Sequence, residues 1–294
     1  MFVNQKNFES KDLADVQLGA AGRPFLVNGV ARRAEVGNHR DWILPRTPRP
    51  ETAGLGAEAR LILGEAWTRT GQLEHASIAA FARFTLELLA FGAPADLVAR
   101  ASAAMADETA HALSAFSLAS VYAGRSIGPE QLPVADAIGG CDLDEAIHTT
   151  FVEGCIGETV AALEASMARD HTSDRAVRAV LARIAEDEAS HAELAFRFLQ
   201  WALPRTQTRP LDRLSAVLDA AIERAAREAD TGAVESSIAA QLLEHGVLPE
   251  ARRSALRHAA LRDVVAPCLH SLRDGHWQNR DLFGRLDNRA ERVA

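Results

Sequence analysis

The sequence has little material for thiol or aromatic chemistry. Its 294 residues include three cysteines and one tyrosine, and aromatics make up 5%. Cys141, Cys155 and Cys268 lie far apart and form no C-x-x-C pair. That excludes a zinc knuckle and an iron site held by four cysteines. An odd, unpatterned count fits a reducing compartment. The opening residues, "MFVNQKNFES", lack the apolar stretch of a signal peptide. The uncharged run Ala112 to Gly124 is 13 residues, too short to cross a bilayer. A cytoplasmic protein with no membrane association is therefore expected. The formal net charge is −8, and the arginines are spread along the chain. Without a concentrated basic face, nucleic acid is not an expected partner.

What the chain does contain is helix-forming material. Hydrophobic residues make up 48%, dominated by alanine and leucine. Residues 1–56 read as an N-terminal extension. There "RPFLVNGVARRAEV" sets two apolar runs around Asn28-Gly29, the pair that suits a tight hairpin turn. The proline-rich "LPRTPRPETAG" reads as a linker. Residues 57–204 carry four long helical patterns, over about 58–91, 94–123, 142–170 and 174–201. Gly71 is a point of weakness or bending in the first. Leu63, Trp67, Ile78, Phe81 and Leu88 mark its buried face. Asp142 with Glu145, and Ser173 or Asp174, supply helix starts. The first two helices are tightly joined, as are the last two, and the middle connection is long. That is one known arrangement of a four-helix bundle. Residues 205–294 add further helices and a polar tail.

Polar residues interrupt the apolar pattern in a repeated way. With 22 Glu and 10 His in the chain, random placement gives roughly 0.7 Glu-x-x-His pairs. Three occur: Glu108/His111 in "DETAHA", Glu145/His148, and Glu188/His191 in "DEASHA". Residues three apart share a helix face. The first and last pairs fall at mid-helix on apolar faces. Glu145 falls in a first turn, where a capping role suffices.

Two buried Glu/His pairs at one level need positive charge, and no Lys or Arg occupies the inward positions nearby. A pair of divalent metal ions compensates them, and carboxylate with imidazole suits iron or manganese. Four carboxylates neutralise two such ions, so two further inward glutamates are expected. Glu74 lies 34 residues before Glu108, at the centre of the first helix's apolar arc. The third helix offers Glu153 and Glu158 in "VEGCIGET". Its apolar arc is Val152, Cys155, Ile156, Val160 and Leu163. Glu153 borders that arc and is preferred, while Glu158 falls behind it and is the alternative. For Asp107, Glu186, Asp187 and Glu193, flanking the pairs, a solvated face is the default. One of them could orient a ligand histidine through its second nitrogen.

As a set, these residues resemble the ferritin-like di-iron carboxylate superfamily, with one Glu from each of two helices and Glu-x-x-His from each of the other two. The resemblance covers about residues 58–203. It implies an all-α, ferritin-like four-helix bundle, here with a short N-terminal hairpin extension and extra C-terminal helices. It also implies two iron ions, or Fe/Mn or Mn/Mn in their place. Glu108 and Glu188 would bridge the metals, Glu74 and the third-helix glutamate would be terminal, and His111 and His191 would each serve one metal. The implied function is an oxidoreductase that activates dioxygen or peroxide. Its partners would be an unknown small-molecule substrate and an external electron donor, and the chain could be a homodimer. The alternatives are a ferroxidase or iron-handling protein, or a non-catalytic helical interaction protein. The terminal additions distinguish the chain from bare-bundle storage cages. Tyr122 lies about 16 Å along the helix from His111, which argues against a tyrosyl-radical role.

Overall fold

A computed structural model describes residues 23–46, 49–137, 139, 141–208, 210–229, 237–278, 282 and 286. The start of the N-terminal extension, part of the proline-rich linker and most of the polar tail lie outside the described residues.

The architecture is mainly helical, with small N-terminal strands and extra C-terminal helices. Helix α1 spans Ala57–Ala90 and α2 spans Ala95–Ala123. A third long stretch is built from α3 (Leu143–Thr150), a π-helical segment (Phe151–Glu158) and α4 (Thr159–His171). Helix α5 follows at Arg175–Ala202. These boundaries match the sequence patterns because the stop and start signals act locally. Asp142 and Asp174 accept hydrogen bonds from the backbone N–H groups of Glu145 and Val177, each at 2.9 Å, which fixes the starts of α3 and α5. Beyond the bundle run α6 (Pro210–Ala229), α7 (Ser237–Glu244), α8 (Glu250–Ala260), a second π-helical segment (Leu261–Val265) and α9 (Ala266–Arg273).

Helices α1 and α2 pack as one hairpin, α4 and α5 as another, and α2 meets α5 across the bundle. Leu63, Trp67, Phe81 and Leu88 are buried as the α1 pattern predicts, while Ile78 is only half-buried. Gly71 does not interrupt α1. A Cβ there would come within 2.8 Å of the Phe116 ring, so its role is close approach of α1 to α2.

Residues 23–46 lie across the bundle as a strap. Strands β1 (Leu26–Val27) and β2 (Val30–Ala31) form the expected hairpin, with Asn28 at φ 52° and Gly29 at φ 75°. Strand β3 (Val36–Gly37) then pairs antiparallel with β4 (Gly128–Pro129) in the long middle connection. This pairing has only two residues per strand, too few for an alternating pattern. The strap is tied down by the Ser77 hydroxyl, which donates to the Arg23 carbonyl at 2.8 Å, and by the Gln72 amide, which donates to the Ala34 carbonyl at 2.7 Å.

The third helical stretch is buried almost all round, because α5 and the strap cover one part and α8 another. Within its π-helical segment, a Cβ on Gly154 would lie 2.5 Å from the Cβ of Ala195 on α5. That neighbour is fixed to backbone and cannot swing away. Gly154→Ala should therefore destabilise the protein by about 1–3 kcal/mol in chemical denaturation, despite the better helix propensity of alanine. Unchanged or increased stability would show that the segment does not need this close approach.

Candidate metal centre

Of the three D-E-x-x-H sequences, those beginning at Asp107 and Asp187 stand on facing helices, α2 and α5. Glu74 enters from α1. Glu158, the last residue of the π-helical segment, enters from the third stretch. Glu74, Glu108, Glu158 and Glu188 are all 0% exposed, and His111 and His191 are buried with them. Their ligand atoms form two groups. Glu74, Glu108, His111 and Glu188 make one, and Glu108, Glu158, Glu188 and His191 the other. Within each, one ligand atom per residue lies within 4.8 Å of all the others. Glu108 and Glu188 belong to both.

Five of the six residues preferred from sequence are thus brought together. Glu153 is not. Its carboxylate accepts from Arg23 Nε at 3.2 Å, Arg83 at 2.7 Å and the Leu26 N–H at 3.2 Å. It is satisfied by the strap and α1, and Glu158 takes the inward position. Two physical facts defeat the sequence preference. The i→i+5 turn of a π-helix slips the phase of a 100°-per-residue projection. A helix covered on all sides also has no single apolar arc that marks the bundle centre. Glu145 and His148 stay outside the cluster: Glu145 is exposed and pairs with Arg213 at 3.7 Å, and His148 is half-buried.

The outer faces of the histidines are hydrogen-bonded. His111 Nε2 donates to Asp187 at 3.0 Å, and His191 Nε2 donates to Asp107 at 3.4 Å. Each aspartate sits one residue before a cluster glutamate and serves the histidine of the opposite helix. Arg183 binds both aspartates, Asp187 at 2.6 Å and Asp107 at 3.3 Å, while remaining 62% exposed. The aspartate preceding each E-x-x-H was a visible repeat in the sequence. Arg183 carried no such signal. With Nε2–H donating outward, each Nδ1 faces the cluster, and the neutral ring offers its lone pair there.

The inner faces have no such partners. Both oxygens of Glu74, Glu108, Glu158 and Glu188, and Nδ1 of His111 and His191, make no hydrogen bond. His191 Nδ1 lies 3.1 Å from Glu108 Oε1. His111 Nδ1 lies 3.6–3.8 Å from oxygens of Glu188, Glu108 and Glu74. Ten buried ligand atoms converging without partners are costly unless a cation sits among them. The donor set of buried carboxylate and imidazole therefore fits a metal site.

Charge regulation follows from the same crowding. Burial, then the charge of Glu108, raises the pKa of Glu74 well above the carboxylate range. Burial, then Glu188, does the same to Glu158. Burial opposes the charge of Glu108, yet the nearby imidazoles of His111 and His191 hold its pKa low. Burial also opposes a charged His191, but Asp107 and Glu108 outweigh it and push its pKa up to about 10. His111 shifts in the same direction against its own burial, chiefly through Asp187. Without metal, protons take its place as the compensating charge.

Compared with models of protein families, with curated proteins and with solved structures, the chain gives no significant match in any of the three. Among the described residues, no helix is long and apolar enough to cross a membrane.

Above about pH 6.5 the unfolded chain releases histidine protons that the folded, metal-free cluster retains. Glu74 and Glu158 also hold protons beyond the usual carboxylate range. The folded state then binds more protons than the unfolded one, so its stability falls as pH rises, through the His191 value of about 10. Chelator-treated protein should melt at a lower temperature at about pH 9 than at about pH 6.5. Added divalent metal should raise the melting temperature more at the higher pH, because metal displaces those protons. A metal-free melting temperature that climbs over this range would contradict the charge balance described.

Proposed function

We propose that the protein is a dinuclear metal protein of ferritin-like type, and that it works as a di-iron oxidoreductase on dioxygen or peroxide. The observation that carries this reading is the pair of four-residue groups sharing Glu108 and Glu188, with every inward ligand atom unpartnered. Glu74 and His111 would hold one iron, Glu158 and His191 the other, and Glu108 and Glu188 would lie between both. Four carboxylates match the charge of two divalent ions, so the loaded centre is neutral and can be buried. Two ferrous ions would supply reducing electrons to dioxygen or peroxide, and an external donor would restore them.

The chain's own residues set the conditions. Asp107 and Asp187 fix the ring orientation of the two histidines and keep Nδ1 available. Phe81 packs its ring 5.0 Å from that of His191. With Ala101, Ala104, Ala112 and Ala115, all buried, it keeps bulk water from the cluster. In that dry setting the unpaired carboxylates attract a cation more strongly than they would at a surface.

Anaerobic titration with ferrous iron should show two ions per chain. Glu108→Ala should weaken both, by at least about a hundredfold, since ligand loss exceeds the usual effect of outer-shell changes. Admitting dioxygen should then consume it and bleach the ferrous signal without growth of a mineral core. Failure to bind iron would end the metal reading. Two tightly bound ions that ignore both dioxygen and peroxide would end the oxidoreductase reading alone, and continued mineral growth would move it to iron storage.

A further inference from the structure

Two glutamates of the π-helical segment point to different places. Glu158 faces the cluster with both oxygens unpartnered. Glu153, five residues earlier, faces the strap and accepts three hydrogen bonds. The donor that comes from the strap's own side chain is Arg23, which is 2% exposed. Its guanidinium also reaches the Thr150 hydroxyl at 3.4 Å, at the residue just before the π-helical segment. Its carbon lies 4.4 Å from the Phe84 ring centre and 5.0 Å from that of Phe81, and Phe81 in turn packs on His191. Arg83 ties Glu153 to α1 and also donates to the Leu26 carbonyl. The start of the segment is thus clamped between the strap and α1, and Gly154 presses it against Ala195 of α5.

We propose that Arg23 is a positioning residue for one half of the metal centre. By clamping Glu153 and Thr150, it fixes the phase of the π-helical segment, and so aims Glu158 at the cluster. Arg23 touches neither the metal nor any ligand atom of the cluster; it acts through the backbone turn between Glu153 and Glu158. The half made by Glu74 and His111 has no such dependence, because α1 and α2 present those residues directly. This inference rests on the dinuclear reading above.

Simple electrostatics predicts the opposite result. The positive charge of Arg23 is felt at Glu158, so removing it should tighten binding of a cation. Positioning predicts that removal weakens binding, and only in the Glu158 half.

The test is a cobalt(II) titration of the full chain, followed by visible absorption and calorimetry. Wild type, Arg23→Met, Arg23→Lys, Glu158→Gln and Glu74→Gln are compared, with helicity checked by circular dichroism. Wild type should take up two ions. Arg23→Met should keep one ion near wild-type affinity and weaken the other about tenfold or more, an effect of outer-shell size. The remaining spectrum should match Glu158→Gln and differ from Glu74→Gln. Arg23→Lys should fall between Arg23→Met and wild type. If Arg23→Met does not fold, Arg23→Lys carries the same comparison. An unchanged or tighter second ion, or equal weakening of both ions in a folded variant, would overturn the proposal while leaving the metal reading intact. Wild type that takes up no cobalt would overturn the metal reading, and this inference with it.

Discussion

Mutual repulsion among four fully buried carboxylates is the constraint on which the rest of the structure depends. Each of Glu74, Glu108, Glu158 and Glu188 is costly to bury alone; burial and neighbouring charge raise the pKa of Glu74 and Glu158, while the histidines hold that of Glu108 low. A bundle can hold such a group only if long helices bring in enough apolar contact to outweigh it. The core around the cluster does this with Phe81, Phe84, Phe116, Phe196 and Phe198, all at or near zero exposure. The carboxylates are also spread over four helical stretches, so no helix carries the charge alone.

Much of this was legible in the sequence, and the reasons are local. Helix starts were readable because Asp142 and Asp174 act on N–H groups three residues away. The pairs Glu108/His111 and Glu188/His191, and Glu74 with them, were readable because α1, α2 and α5 are regular helices with one face to the bundle centre. Glu158 was misjudged where regularity fails, in a π-helical segment inside a helix covered all round. Arg23 and Arg83 could not be read as partners of Glu153, because 130 and 70 residues separate them. No periodicity spans that distance. The β3–β4 pairing was hidden for the same reason.

The terminal additions are part of the bundle's architecture. The strap covers the π-helical segment through Glu153. From the other side, Arg253 and Arg257 of α8 reach the buried carboxylate of Glu164 on α4, at 3.3 and 3.9 Å. The helix that supplies Glu158 is therefore held by ion pairs to segments before and after the bundle. A bare four-helix bundle would leave this helix with an exposed face and Glu153 without Arg23, keeping only Arg83 of α1. The all-round burial that obscured Glu158 in the sequence follows from these same contacts.

The outer layer around the histidines couples ligand geometry to helix packing. Helix α2 supplies Asp107 to His191 of α5, and α5 supplies Asp187 to His111 of α2. Rotating either helix would displace its own histidine directly and the other through its aspartate. Arg183 closes the loop by holding both aspartates from one turn of α5. Exposed ion pairs add little stability by themselves, but this one holds buried Asp187 and half-buried Asp107 against the buried histidines. The two halves of the centre thus share Glu108 and Glu188 on the inside and Arg183 on the outside. Neither half can be rearranged alone from the α2–α5 side. Independence between them enters only through Glu74 and Glu158, which come from separate helices with separate supports.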